Sequence, residues 1–356
     1  MADHASAAWR IRNHVQGPCT PDAIDQNLSI ETVPKPIPQK GQVLVRIHAA
    51  SLNYRDLLIL TSDPRYASGT TIDGLVPLGD GAGVVEELGP GESKWKVGDK
   101  VINATNSTWK AGQTQASFDG KISVGSGDVD GVLRRYAVFD EDSLAPLPGN
   151  LTFEEGSCLS GAYVSAWNAF FGGPQRLKRG DVVVIQGTGG VSIAALQIAA
   201  AVGAVTIAFT TSEDKIDLLR ELGATHALNY KDRKNWSEDV LRLTEGRGAD
   251  HVIDVVGAAT IAESIRALRQ DGLVSAVGFL SSTEKHDLIP DIVFGAKTIR
   301  GLMFGSLGMF RNVSAFVEEN GIKPVVAKVF RWEEVKEGYK AMLGQGFVGK
   351  IVVKVE

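Results

Sequence analysis

Residues 182–204, VVVIQGTGGVSIAALQIAAAVGA, change their hydrophobic period in mid-run. Val182 to Ile185 form the β-branched run of a fully buried strand. Three glycines, Gly187, Gly189 and Gly190, then fall within four positions, and an Ala-rich helical pattern follows from 190 to 202. A strand buried on both faces that turns straight into a helix belongs to a parallel sheet with helical crossovers. The same alternation recurs downstream: VTIAFT then 213–222, HALNY then 237–244, HVIDVV then 260–269, LVSAVGF and TIRGLMFG. The pattern predicts an α/β fold with right-handed crossovers and a doubly wound parallel sheet.

Upstream the rhythm differs. QVLVRIHAA, GAGVVEELG, WKVGDKVIN and RYAVFD are short strands with Gly and Pro punctuation, which predicts a β-rich, barrel-like unit. After about residue 320, one helix lies between two strands. We therefore expect a β-rich domain of residues 1–147, completed by 321–356, and an α/β domain of 148–320. A length of 356 residues suits two such domains. The net charge of −5, with both signs interspersed, gives no basic face for nucleic acid and no membrane anchor. Two distant cysteines, Cys19 and Cys158, fit a reducing compartment and supply no disulfide framework or cysteine zinc lobe. MADHASAAWRIRNHV has no signal-peptide core, so the reading is cytoplasmic, with a small-molecule substrate.

Between a strand and a helix, the glycines stand where a dinucleotide fingerprint needs them. Gly187 permits the tight turn, and Gly189 lets backbone N–H groups approach a pyrophosphate that the helix N-terminus favours. The bend Gly187, Thr188, Gly189, Gly190 and Val191 is assigned to the cofactor. Ser192 takes the place of the third glycine, so helix-to-strand packing must tolerate an extra hydroxymethyl. A plain Gly-rich turn without ligand is the other reading of the string, and the βαβ series decides against it. NAD-binding folds usually end the second strand with an acid about 20 residues past the glycines. Here Thr210 and Thr211 stand in its place. With Ser212 and Lys215 they make a pocket for a 2′-phosphate, which selects NADP(H). Glu213 and Asp214 oppose this unless they point outward; a solvated helix start with an unspecific lysine is the alternative.

The strings SLNYRDLL, VPLGDGAGVVEELG, KVGDKV, DGVLRRYAVF, LSGAYVSAWNAF, GTGGVSIAALQIA, DKIDLLRELGATHALNY, GRGADHVIDVVG and GFVGKIVVKV together resemble the medium-chain dehydrogenase/reductases, specifically their zinc-independent quinone oxidoreductase and alcohol-dehydrogenase-like branch. The resemblance implies a GroES-like catalytic domain, a Rossmann domain, a cofactor in the cleft between them, and a homodimer. It adds Tyr230, Val256, Gly278, Phe279 and Lys350 to the cofactor site and places Asn53 and Tyr54 beside the nicotinamide. Arg55 and Asp56 read as an ion pair or turn. Tyr66 is placed comparably to a proton-donating tyrosine of related enoyl-thioester reductases, on a slightly longer loop; a surface-loop tyrosine is the other reading.

Zinc-containing relatives draw their metal ligands from places that here hold Asn53, Asp80 and Gly161. One carboxylate and one amide do not make a zinc set, and the six histidines show no ligand spacing, so no metal is expected. Cys158 reads as a small buried hydrophobe. The expectation is thus an NADPH-dependent, zinc-independent reductase of an activated C=C or C=O in an enone, quinone or enoyl-thioester. Alcohol/ketone interconversion, or cofactor binding with little turnover, are the alternatives. Residues 291–310, DIVFGAKTIRGLMFGSLGMF, combine a late strand with cleft lining, a dimer edge or plain core.

Overall fold

The computed structural model describes residues 5–66, 71–112, 115–231, 233, 235–281 and 286–356. They divide into two compact units, Met1–Val164 with Ser306–Glu356, and Ser165–Gly305. These boundaries differ from 147/148 and 320/321. The helix Phe153–Gly156 packs on the strands Gln42–Ser51 and Asp80–Leu88, and the helix Leu307–Glu319 packs on Leu144–Pro146 and the turn Leu159–Tyr163. Both helices thereby join the β-rich unit.

In Ser165–Gly305, six strands, Val182–Gln186, Val205–Thr210, His226–Asn229, Ala249–Asp254, Leu268–Ala276 and Thr298–Gly301, form a parallel sheet. Their spatial order is third, second, first, fourth, fifth, sixth. This is the expected doubly wound Rossmann arrangement. The order reverses between the first and fourth strands, so loops at their carboxyl ends diverge and leave a crevice for a ligand. The first strand is buried throughout, matching its unbroken β-branched run. The helix Gly190–Val202 starts at Gly189 and stops at Gly203, whose φ of +86° is a left-handed C-cap that glycine adopts without strain. Val184, Ile207, Phe209, Val252 and Val274 fill one core of this unit.

The other unit carries a seven-stranded sheet, mostly antiparallel. Its central strand, Gln42–Ser51, pairs with Asp80–Leu88 on one side and with the carboxyl-terminal strand Lys350–Lys354 on the other. Ser51 lies opposite both Asp80 and Val352. This register brings Asn53, Asp80 and Lys350 to one end of the sheet.

The stretch 291–310 is shared among several elements. Val293 and Phe294 are exposed on the helix Ile289–Phe294, Ile299 is exposed on the strand that ends the parallel sheet, and Met309 and Phe310 are buried. Among the described residues no helix is long and apolar enough to cross a membrane.

Candidate functional site

The glycine bend leaves open space in front of the helix that follows it. Gly187 has φ +74°, a conformation L side chains rarely adopt. Gly189 is the N-cap of the helix, with φ −72° and ψ 176°, and no side chain caps the helix there. A Cβ on Gly189 would meet nothing within 4 Å. Space is thus open at the N-cap of a 13-residue helix, and a helix N-terminus favours an anion. Ser192 uses its extra group: its Oγ donates to the Gln186 carbonyl at 2.7 Å, closing the bend from inside.

The remaining residues assigned to the cofactor within this unit gather at the carboxyl ends of its strands. Lys215 Nζ donates to Thr188 Oγ1 at 3.4 Å, so the lysine reaches back to the glycine bend. Thr210 is buried, with its Oγ1 accepting from Ser212 N at 3.2 Å, and Thr211 is exposed. The two acids are engaged locally: Asp214 accepts from the Ser212 hydroxyl, and Glu213 accepts from Asn229 Nδ2 at 3.2 Å. Tyr230 N donates to Thr210 O at 2.9 Å, its ring meets Phe209 edge-on, and burial raises its hydroxyl pKa.

Asp254, at the end of the fourth strand, received no role from the sequence, yet it shapes the next loop. Its Oδ1 accepts from Val256 N at 3.0 Å and Gly257 N at 2.8 Å, while its Oδ2 accepts from Ser264 Oγ at 2.7 Å. Val256 O in turn accepts from Ser281 N at 3.0 Å, tying this loop to the one that carries Gly278 and the half-exposed Phe279. A carboxylate at the end of a buried strand, after Val252 and Ile253, was the available signal.

Lys350 lies elsewhere. It belongs to the β-rich unit, where its Nζ donates to Leu52 O and to Asn53 Oδ1, both at 2.6 Å, and stands 3.8 Å from Asp80 Oδ2. Asn53 Nδ2 donates to Asp80 Oδ2 at 2.8 Å, and Thr105 Oγ1 donates to Asp80 Oδ1 at 2.7 Å. Gly161 completes the group, since a Cβ there would lie 2.5 Å from Asp80 Oδ2. The places of zinc ligands therefore do converge, but as an amide, a carboxylate and a glycine around a lysine ammonium. Zinc takes three or four converging N, S or O donors, and this set does not fit it. Among the described residues, no group of three or more His, Cys, Asp or Glu could hold a metal.

Asn53 also starts the helix Tyr54–Leu60, with Asp56 Oδ2 accepting from Asn53 N at 2.6 Å. Burial pushes the Asp56 carboxyl up to about 6, against the opposing pull of Arg55. Arg55 Nε is 3.6 Å from Asp56 Oδ1, its Nη2 donates to Val124 O at 2.6 Å, and its Nη1 donates to the Tyr66 hydroxyl at 3.3 Å. Tyr66 is half-buried and packs against the core of its unit, as does Tyr54. Cys158 is fully buried, and burial pushes its thiol up to about 12.

A doubly wound sheet with a glycine bend at its switch point, in a chain whose other unit is β-rich and carries a buried polar cluster, is the architecture that the comparisons with known proteins match. Residues 39–149 match the family described as alcohol dehydrogenase GroES-like domain, and residues 190–319 the family described as zinc-binding dehydrogenase. A zinc-type alcohol dehydrogenase-like protein of Schizosaccharomyces pombe is 39% identical over 328 residues, spanning 90% of this chain and 93% of its own. An acryloyl-coenzyme A reductase of Sulfurisphaera tokodaii is 29% identical over 92% of this chain and 97% of its own. The crystal structure of a putative alcohol dehydrogenase from Sinorhizobium meliloti superposes with a TM-score of 0.87 at 31% identity, covering 99% of this chain and 100% of that one. The chain belongs to the medium-chain dehydrogenase/reductase superfamily.

Proposed function

We propose that the protein is an NADPH-dependent, zinc-independent reductase of an activated C=C or C=O bond, of the enone, quinone or enoyl-thioester type. The observation that carries this reading is the Lys215 ammonium reaching Thr188 beside an uncapped helix N-terminus, a cationic group next to a ready anion site. Bound there, NADPH supplies the hydride. Gly187 to Val191 hold the pyrophosphate through backbone N–H groups, and Thr210, Thr211, Ser212 and Lys215, with Tyr230 behind them, take the 2′-phosphate. Val256, Gly278 and Phe279 border the nicotinamide end on loops that Asp254 and Ser281 tie together. In the other unit, Asn53 and Tyr54 orient the acceptor, and Tyr66, its oxygen held by Arg55, gives up the proton. Conjugated acceptors suit this equipment, because conjugation already spreads the incoming negative charge. The reductase name of the Sulfurisphaera tokodaii relative supports the same choice.

Lys215→Ala is expected to weaken NADPH binding by roughly ten- to a hundred-fold, at about 1.4 kcal/mol per decade, and to leave NADH nearly unchanged. Fluorescence titration with both cofactors checks this; equal losses would remove Lys215 from the phosphate site. Elemental analysis of the purified protein should find well under one zinc per chain, and chelators should leave the activity intact. Stoichiometric zinc with chelator-sensitive turnover would overturn the metal-free reading.

The homodimer is proposed to form at the Thr298–Gly301 edge. This strand ends the parallel sheet, and Val293, Phe294 and Ile299 lie exposed on and beside it. A second copy adding its own edge strand would cover them. Phe294→Glu should then shift the sedimenting species from dimer to monomer; a parent that sediments as a monomer refutes the proposal.

A further inference from the structure

The buried cluster of the β-rich unit has one way out. Asp80 is 0% exposed, Leu52 0%, Thr105 2% and Lys350 4%, whereas Asn53 is partly exposed. An ammonium can only donate and a carboxylate can only accept, so Lys350 must face the Asn53 amide oxygen and Asp80 its nitrogen. The two charges thereby dictate which way round the amide stands. One Nδ2 proton goes to Asp80; the second stays on the only member of the cluster that reaches the surface. Gly161 permits the crowding, since a Cβ there would also lie 3.1 and 3.2 Å from the two amide atoms of Asn53. A buried lysine–carboxylate pair is a poor stabilising device, because desolvation offsets its attraction. Its presence at this spot calls for another role.

We infer that Lys350 is a positioning residue: with Asp80 it orients Asn53 so that the remaining Nδ2 proton is presented as a fixed hydrogen-bond donor to the substrate oxygen that gains negative charge. Such a preorganised donor is effective because no reorganisation is needed as the charge develops. The inference rests on the reductase reading, and it takes Lys350 out of the set of residues assigned to the cofactor.

The test uses Lys350→Met, Lys350→Arg and the double variant Lys350→Met/Asp80→Asn in the full chain. NADPH affinity is measured by titration, and kcat and KM with 2-cyclohexen-1-one at saturating NADPH. For Lys350→Met the expected result is a kcat at least about tenfold lower, in line with the loss of a single oriented donor, with NADPH affinity within about twofold of the parent. Lys350→Arg should recover most of the loss. If Lys350→Met does not fold, the double variant, which buries no lone charge, must show the same kcat defect. The inference fails if Lys350→Met weakens NADPH binding tenfold while kcat at saturation is intact, since that is the signature of a cofactor ligand. It also fails if Lys350→Arg recovers nothing or if the double variant keeps the parental kcat. A parent protein that binds NADPH but reduces no activated alkene or carbonyl sinks the reductase reading itself, and the inference with it.

Discussion

Gly189→Val is expected to lose NADPH and NADH together while melting close to the parent. The backbone at Gly189, φ −72° and ψ 176°, is extended and open to any residue, and its Cβ would meet no protein atom within 4 Å. Valine there should cost the folded chain no more than about 1 kcal/mol, the order of an unfavourable N-cap, and so only a few degrees in melting temperature. The open volume is where the pyrophosphate would approach the first helical N–H groups. Two methyl groups in that space hold the phosphates off whatever the adenosine end does. A loss of at least a hundredfold, about 2.7 kcal/mol, is expected for both cofactors. Titration with each cofactor, alongside a melt without ligand, measures both halves. A variant that melts like the parent and binds NADPH with parental affinity would reduce the bend to a mere turn.

Gly278→Ala should do the reverse and damage the fold first. An added Cβ would stand 2.1 Å from Val255 O and 2.8 Å from its carbonyl carbon. Those are backbone atoms, in a loop held by the Asp254 carboxylate through Val256 N and Gly257 N, so they cannot step aside alone. Overpacking of this kind costs about 1–3 kcal/mol, and an unfolding temperature lower by about 5 °C is expected in calorimetry, with cofactor affinity falling in its wake. An unshifted melt would mean that the two loops are looser than their hydrogen bonds imply. The pair Gly189 and Gly278 separates a glycine whose Cβ would enter open space from one whose Cβ would strike backbone.

How far the site was legible depended on how far apart its partners lie in the chain. The change of period at residue 186, the glycines and the six strand runs are local signals, and the parallel sheet follows from them. Ser192 was legible as a tolerated intruder, but its hydrogen bond to Gln186 needed the bend closed in space. Lys350 shows the limit most clearly. It pairs with Leu52, 298 residues earlier, because the last strand lies beside Gln42–Ser51, and no local pattern states that register. The compact units divide at other residues than 147/148 and 320/321 for a related reason: the apolar faces of Phe153–Gly156 and Leu307–Glu319 look helical whichever sheet they pack on. Asp254 was visible in VIDVVG, yet its work is done on neighbouring loop backbone, which only the folded loop reveals. Lys215 was singled out for its charge and its place after the second strand; its hydrogen bond to Thr188, 27 residues earlier, needed the fold.

The central claim is direct hydride transfer from NADPH to an activated double bond without a metal. It is tested by incubating chelator-treated protein with NADPH deuterated at the transferred C4 position and a panel of enones, quinones and enoyl-thioesters, and weighing the products by mass spectrometry. For at least one acceptor the account predicts stoichiometric consumption of NADPH, with one deuterium on a carbon of the saturated ketone, saturated thioester or alcohol formed. No consumption of NADPH with any acceptor, a reduced carbon acceptor that carries no deuterium, or turnover that returns only when zinc is added would contradict it.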